Sequence, residues 1–448
     1  MNSYKQELQS FTKKWPTICF LDLIFTDINA TPRGKRIPVS SAKKLASGIY
    51  LPLSTLTLNI QGQVIEEAGF GQDIGEPDHL CLPIPGTLKP TVNPEVGQVM
   101  LTMMDDTESL PLPLTPRQLL SNLVDRLHRK NQFPVMAIEL EFYLLDKNRG
   151  PNGEILTPIN PTKQSRETSC EVYHLDSLDD YSAFLSEVSE AAEQQGLHTS
   201  GALAESAPGQ FEINFYHQQN ILEVCDHVIY AKRLVRQVAQ KHGYDVTFMA
   251  KPFGNEAGNG LHVHLSLLDE QGNNLFSNVD GEKSDLFYQC LAAMTMLAPE
   301  SMALLAPNVN AYRRFGTGMF TPDKADWGVN HRGVALRIPV SDSKNRRIEH
   351  RIAGADVNPY LLCVAVLASV IHANHLPSNN CPPALDDNAP KLPLHMQDAL
   401  HAFKCGELLP DILGREFTDL YVTCKESELR TFEKFITPKE IEWMFYSA

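Results

Sequence analysis

Five short segments of this chain break the rule that the buried face of a β-strand is apolar. Residues i and i+2 of a strand share a face, so a core strand alternates apolar inward and polar outward positions. Here Glu139 and Glu141 lie within FPVMAIELEFYLL, and Gln210, Glu212 and Asn214 follow the turn at Pro208-Gly209. His262, His264 and Ser266 follow the glycine-rich GNEAGNG, and Arg347, Glu349 and Arg351 follow the basic run SKNRR. Arg337 sits inside VALRIPV, five residues after Arg332. The positions between these polar groups are strongly apolar, so each strand is predicted to give one face to the core and the other to ligands.

If those faces converge, Glu139, Glu141, Glu212 and Glu349 share a cleft with two histidines and four arginines. Four carboxylates so placed repel one another and drive their pKa values up unless divalent metal compensates. An oxygen-rich site with a single imidazole suits Mg²⁺ or Mn²⁺ better than Zn²⁺. The guanidinium groups call for anionic ligands of their own, since their paired donors match phosphate and carboxylate. Metals, arginines and carboxylates together point to phosphoryl transfer. Taken singly, E-x-E reads as a solvated sheet face and R-x-E-x-R as a surface ion-pair ladder; it is the co-occurrence on apolar strands that favours a site. The chain contains no P-loop, and Gly69-Phe70-Gly71 lacks both the third glycine and the following helix of a dinucleotide turn, so a nucleotide must be held in another way.

The 448 residues, 43% of them hydrophobic, suffice for two or more cores and exclude disorder as the main state. A formal charge of −15 lacks the basic footprint of a nucleic-acid binder and suits, weakly, a cationic small substrate. No apolar run reaches the length of a membrane span, and the polar start MNSYKQELQSFTKKW has no signal-peptide core, which predicts a cytoplasmic protein with no membrane partner. Nine scattered cysteines without a C-x-x-C pair read as buried thiols and not as disulfides or a thiolate zinc site.

Residues 16 to 45 and pieces up to 106 read as short strands, interrupted by a Gly/Pro-dense stretch from 68 to 90 that is expected to be an irregular loop. A helix is predicted from Pro116, with Thr115 as its N-cap and Leu119, Leu120, Leu123, Val124 and Leu127 on one face. Helices over 181–196 and 221–243 and a helical tail from about 390 complete an α+β reading. The change in pattern near 110 to 114 divides the chain into domains at 1–112 and 113–448.

The ordered set IELEF, ESAPGQFEIN, GNGLHVHLS, NAYRRF, NHRGVALRIPV and RRIEHRIAGADVNPYL resembles the glutamine synthetase family over nearly the whole chain, most closely its γ-glutamylputrescine- and γ-glutamylpolyamine-forming members. The resemblance implies a small N-terminal β-grasp domain and a larger catalytic domain with a β-sheet cleft flanked by helices. It further implies a ring-shaped homo-oligomer, commonly a dodecamer of two hexamers, with sites between subunits. Carried over by position, Glu141, Glu205 and Glu212 would bind one metal, and Glu139, His262 and Glu349 another. Glutamate would be held by Gly258, Arg314 and Arg351 beside His262, and ATP by His264, Ser266, Lys344 and Arg347, with Arg332 and Arg337 on the transferred phosphate. The implied reaction converts the γ-carboxylate of L-glutamate into an acyl phosphate, which an amine then displaces.

The sequence departs from ammonia-using members at one subsite. Phe320 stands where the family has a flap glutamate, and Leu51 where it has an aspartate offered by the neighbouring subunit. Both ammonium ligands are absent while the metal and phosphate residues remain. An apolar subsite favours an alkylamine, whose methylenes are worth about 0.8 kcal/mol each when buried. Shifting an amine from a pKa of about 10.4 to about 7 costs roughly 4.6 kcal/mol, which that burial helps to offset. Putrescine or a polyamine is therefore the expected nucleophile, with roles in polyamine catabolism; a hydrophobic monoamine, ammonia itself, or a catalytically silent ring are the other readings. Glu66, Glu67 and Asp78 are candidates for a distal ammonium, across the interface, and no residue is assigned as the general base. The stretch SNNCPPALDDNAPKLPLHMQ has no tyrosine, so control by tyrosine adenylylation is not expected.

Overall fold

A computed structural model of the chain describes residues 2–105, 110–169, 172–316, 320–378 and 382–447. Cys170, Cys381, Asp106, Asn379, Asn380 and the flap residues Thr317, Gly318 and Met319, all singled out from sequence, lie outside those segments. The architecture is mixed α+β, as expected, and is built on two sheets that share no strand.

The first sheet comprises β1 (Phe20–Thr26), β2 (Pro32–Pro38), β3 (Ile49–Pro52), β4 (Asp78–Pro83), β5 (Lys89–Pro90) and β6 (Val96–Met103), in the order β2-β1-β6-β4-β3 with β5 also on β6. Its central pair, β1 and β6, runs parallel and is almost entirely buried, which is why FLDLIFT and VGQVMLTM read as continuous apolar runs. The Gly/Pro-dense stretch expected to be irregular contains β4: His79, Cys81 and Pro83 alternate inward, and the strand fills the gap between β3 and β6. Short-range turn chemistry was read correctly only at 66–68 and 72–74, which form single turns.

The second sheet contains β7 (Phe133–Asp146), β8 (Thr199–Ala204), β9 (Gln210–Phe215), β10 (Tyr244–Thr247), β11 (Leu261–Leu268), β12 (Trp327–Val329), β13 (Leu336–Ile338) and β14 (Ile348–His350). Its order is β12-β13-β14-β11-β7-β9-β8, with β10 on β7. The long strand β7 is the spine, paired antiparallel on one side with β11 and on the other with β9. Helices Asp285–Leu305 and Pro359–Ala373 are apolar around most of their circumference and lie in the core, which explains why no amphipathic stripe marks them in the sequence. Asn358 caps the second of them by accepting from the backbone N–H groups of Tyr360 and Leu361.

Three polar ties lock the first sheet and its adjoining turns onto this core. Arg233, from the helix Ile221–Lys241, pairs with Asp22 of β1, which also takes Arg36 at 2.6 Å. Asn358 donates to the carbonyl of Ile28 at 3.1 Å, and Tyr230 Oη donates to that of Thr87 at 2.7 Å. Within the core, Arg117 grips Asp226 with two bonds of 3.0 Å while Tyr360 Oη donates to the same carboxylate at 2.7 Å, so that buried charge is fully engaged.

Three sequence expectations need correction. Thr115 precedes its helix but makes no capping bond, because its hydroxyl donates back to the carbonyl of Leu112. Cys19 and Cys405 are exposed, whereas Cys81, Cys225, Cys290, Cys363 and Cys424 are buried thiols as anticipated. Leu51 is only 4% exposed and belongs to the core of its own sheet, while its neighbour Tyr50 is 57% exposed. The alternation of β3 thus turns Tyr50 outward and Leu51 inward. Among the described residues, no helix is long and apolar enough to cross a membrane.

Leu51→Ala should accordingly behave as a core truncation, costing about 2 to 5 kcal/mol in urea unfolding. A loss near zero would mean that this side chain is not packed as described.

Candidate active site

Antiparallel pairing brings the polar positions read from the sequence into lateral rows. Across β11, β7 and β9, His262 faces Glu139 and Glu139 faces Asn214. One step along, Glu141 faces Glu212. Across β13, β14 and β11, Arg337 faces Glu349 and Glu349 faces His264. The result is a continuous charged face on a sheet whose reverse is packed with Ile138, Leu140, Phe142, Phe211, Val263 and Leu265.

Two adjoining clefts open on this face. The first, about 370 Å³, is bounded by Glu139, Glu141, Glu205, Glu212, His262 and Glu349, together with Gly258, Arg314, Arg332, Arg337, Arg351 and Phe320. The second, about 680 Å³, is bounded by His264, Ser266, Lys344 and Arg347. Glu139 and Asn214 line both. Leu51, expected to be offered by a neighbouring subunit, does not line the clefts of its own chain. Glu66, Glu67 and Asp78 do not line them either: Glu66 accepts from Gln72 N, Glu67 pairs with Arg430 at 3.4 Å, and Asp78 starts β4 in the first sheet.

The carboxylates differ in how much positive charge lies beside them. Glu139 accepts from His264 Nε2 at 2.8 Å and lies 3.2 Å from His262 Nδ1. Arg347 donates to His264 Nδ1 at 3.3 Å, which assigns the ring proton to Nε2 and directs it at Glu139. Burial opposes ionisation of Glu139, but the two imidazoles prevail and hold it below the usual carboxylate range. Glu349 is fixed between Arg337, at 2.7 Å, and Arg351; burial raises its pKa, and His264, His262 and Arg351 outweigh that and bring it down. On the other side of β7 the positive charge is weaker, and Arg332, which favours the ionised form of Glu205, does not outweigh burial. Burial, then the charges of Glu139, Glu141 and Glu205, push Glu212 up to about 9. Burial and the charge of Glu141 push Glu205 up to about 7.

This imbalance is what a cation would relieve. Glu139, His262 and Glu349 present ligand atoms within 4.8 Å of one another, and so do Glu141, Glu212 and His262. The donor sets are dominated by carboxylate oxygen and fit a hard divalent ion. The first trio is the one expected from sequence; in the second, His262 takes the place expected for Glu205, which lines the cleft nearby. The side-chain oxygens of Asn214 and Gln210 are buried on the same face with no partner among the described residues.

The loop GNEAGNG earns its glycines through close approach. A Cβ on Gly258 would lie 2.5 Å from the Ala250 carbonyl and 2.8 Å from Arg314 Cγ, and one on Gly260 would lie 2.6 Å from His262 Nε2. Gly260 N donates to Glu141 at 2.6 Å, and Gln210 Nε2 donates to the Gly258 carbonyl at 3.0 Å. Gln210 and Asn214 flank Glu212 at i−2 and i+2, so the spacing that flagged Glu212 already contained them. Val172, Tyr173 and Leu203, which join Phe320 at the mouth, carried no signal in the sequence. Phe320 is 67% exposed, and both it and Tyr173 have positive φ, of 54° and 63°. Bulky residues adopt that conformation rarely, and it is found where a site requires a particular placement.

Removing one of the crowded acids should separate stability from metal binding. Glu212 is ordinarily ionised above about 4.5 but here only above about 9, so the metal-free chain loses stability as pH rises between those values. Glu212→Gln should raise the melting temperature of metal-free protein, by a margin that widens from pH 5 to pH 8, and weaken Mn²⁺ binding in calorimetry by about tenfold or more. A variant less stable than wild type at pH 8 without metal would contradict the repulsion.

The glutamine synthetase catalytic-domain family model matches residues 113–444. The γ-glutamylputrescine synthetase PuuA of Escherichia coli K12 is 45% identical over an alignment that covers 100% of this chain and 96% of that protein. A glutamate–isopropylamine ligase of Pseudomonas sp. is 29% identical, covering 93% of this chain and 92% of its own. Among solved structures, a GmaS–ADP complex superposes with a TM-score of 0.83 at 26% identity, over 98% of this chain and 99% of the other. By its family match and its full-length relative, the chain belongs to the glutamine synthetase family, ligases that use ATP and divalent metal ions.

Proposed function

We propose that this protein joins the γ-carboxylate of L-glutamate to a primary amine, putrescine or a longer polyamine, with conversion of ATP to ADP and phosphate. The observation that carries the reading is the pair of clefts meeting at Glu139: a basic one suited to nucleotide phosphates and an acidic one with an apolar mouth. The likeness to a γ-glutamylputrescine synthetase supports the choice of amine.

His264, Ser266, Lys344 and Arg347 would bind ATP, and Gly258, Arg314 and Arg351 would bind glutamate. Arg314 is buried and anchored to the Ile352 carbonyl at 2.7 Å, a fixed mount for a carboxylate ligand. Glu139, His262 and Glu349 would hold one divalent cation and Glu141, Glu212 and Glu205, with His262 nearby, a second; Mg²⁺ or Mn²⁺ suits both sets. When bound, these ions neutralise phosphate charge during transfer. Arg332 and Arg337 border the acidic cleft and would stabilise the equatorial oxygens of the transferred phosphoryl group. The glutamyl γ-oxygen attacks the terminal phosphorus of ATP, giving γ-glutamyl phosphate and ADP. The amine, once deprotonated, then adds to the acyl carbon, and phosphate leaves with the oxygen that bridged carbon and phosphorus.

Phe320, Val172, Tyr173 and Leu203 would form the wall along which the methylenes of the amine lie. Such a wall gives no counter-charge to NH₄⁺ and favours loss of an alkylamine proton. We take residues 1–112 as the N-terminal domain and 113–448 as the catalytic one, supported by the two separate sheets and by the start of the family match at 113. A ring of subunits, two hexamers in register, is the assembly we favour, with Tyr50 on the outward face of β3 available to a neighbour. A cytoplasmic location suits an enzyme that consumes ATP.

ADP release should be fastest with putrescine or spermidine, slower with a hydrophobic monoamine and slowest with ammonium. Phe320→Glu should raise the ammonium-to-putrescine ratio of kcat/KM by about tenfold, on the order of 1.4 kcal/mol. Turnover with ammonium alone would overturn the proposal. An unchanged ratio in the variant would remove Phe320 from amine selection.

A further inference from the structure

A third cavity, about 650 Å³, shares no lining residue with either cleft. It is enclosed by elements distant in sequence: the helix Ile221–Lys241, the segment after β10, residues 308–310, the N-terminal stretch 29–32 and the C-terminal helix Arg415–Glu433. Its volume is that of a small-molecule site.

The charges in it do not balance. Lys232 and Arg236 stand one turn apart on the same helix, a like-charge spacing that destabilises a helix. Neither makes an ion pair with a carboxylate among the described residues. Both are drawn to the ring of buried Phe248, Arg236 with its guanidinium carbon 4.9 Å and Lys232 with its Nζ 5.7 Å from the centroid. The one hydrogen bond of Lys232 is a long one, 3.4 Å, to the Val357 carbonyl. Burial, with Arg236 adding, pushes its ammonium down to about 7.

The acids of the cavity do little to compensate. Glu428 is taken by Lys425 at 2.8 Å and by the backbone N–H of Ile60 at 2.9 Å. Asp356 accepts from Asn308 Nδ2 at 2.7 Å, and no ion pair joins it to Lys232. Even with Lys232 only partly protonated near neutral pH, Arg236 has no carboxylate partner among the described residues. The remaining walls include apolar Ile229, Met249, Val309, Met396 and Leu429.

We propose that this cavity is a binding site for a small amphipathic monocarboxylate, with its carboxylate between Lys232 and Arg236 and its apolar body against the far wall. A planar guanidinium and an ammonium side by side match a carboxylate. The apolar wall excludes a bare inorganic anion as the best fit.

The position of the cavity gives binding a consequence for the active site. Asn310, on its wall, accepts from Lys251 N at 2.9 Å and donates to the Lys251 carbonyl at 2.8 Å. Lys251 leads into the loop that carries Gly258, and Asn310 lies four residues before Arg314. A ligand that shifts residues 308–310 therefore alters how Arg314 and Gly258 are presented. This coupling rests on the reading of those two residues as the glutamate subsite, whereas binding itself does not.

The test is calorimetric titration of the assembled protein with 4-methylpentanoate and with 3-methylbutylamine, which has a closely similar branched body and the opposite charge. Wild type should bind the carboxylate saturably, and Lys232→Met and Arg236→Gln should each weaken it by about tenfold or more while keeping the wild-type circular dichroism and ADP-release rate. The amine should show no binding that these variants change. No saturable binding of the carboxylate, or binding indifferent to both variants, overturns the site; it would also be the outcome if another copy of the chain fills the cavity. Saturating 4-methylpentanoate should change the KM for glutamate at least twofold in wild type and leave it unchanged in Lys232→Met. Binding with an unaltered KM would refute the coupling and leave the proposed ligase reaction intact.

Discussion

The crowding of carboxylates along β7 is the constraint around which the rest of the structure is arranged. Glu139, Glu141 and Glu212 stand on adjacent positions of two paired strands, at a spacing set by the sheet and not by the side chains. Such a row is tolerable only with positive charge beside it. On the β11 and β14 side the protein supplies that charge itself, through Arg337 and Arg351 on Glu349, while His262 and His264 hydrogen-bond Glu139. On the β9 side it supplies less, and burial with the neighbouring carboxylates pushes Glu212 up to about 9 and Glu205 up to about 7. The asymmetry leaves the β9 side of the sheet with clustered carboxylates that could hold a metal ion.

The same arrangement orders the chemistry in space. His264 touches Glu139 with one ring nitrogen and Arg347 with the other, so the residue that borders the basic cleft is mechanically tied to the one that borders the acidic cleft. A phosphoryl group passing between them would travel only the width of β7. The apolar residues at the mouth act on a separate question, namely which nucleophile can approach once the carboxylate has been activated. Division of labour between a charged sheet face and an apolar rim is one way in which a fold can serve several amines.

Much of the site was legible because strand periodicity is a two-residue code that survives translation into structure. Glu139, Glu141, Glu212, His262, His264 and Glu349 were found by i, i+2 spacing and Arg337 as a lone charge in an apolar run, and pairing register did the rest. Gln210 and Asn214 obeyed the same spacing and were simply not given roles. Tyr173 and Val172 could not be found, since they reach the cleft from an irregular segment with no period. A positional match says nothing about which way a side chain points: the alternation in β3 turns Leu51 inward and Tyr50 outward. The strand β4 hid among glycines and prolines, and the two most buried helices hid because an all-apolar helix has no stripe.

The central claim is that the γ-carboxylate is activated as an acyl phosphate before the amine attacks. With glutamate carrying ¹⁸O in both γ-carboxylate oxygens, the account predicts that phosphate released in the presence of putrescine contains one ¹⁸O per molecule of amide formed. Amide formation accompanied by unlabelled phosphate would contradict it.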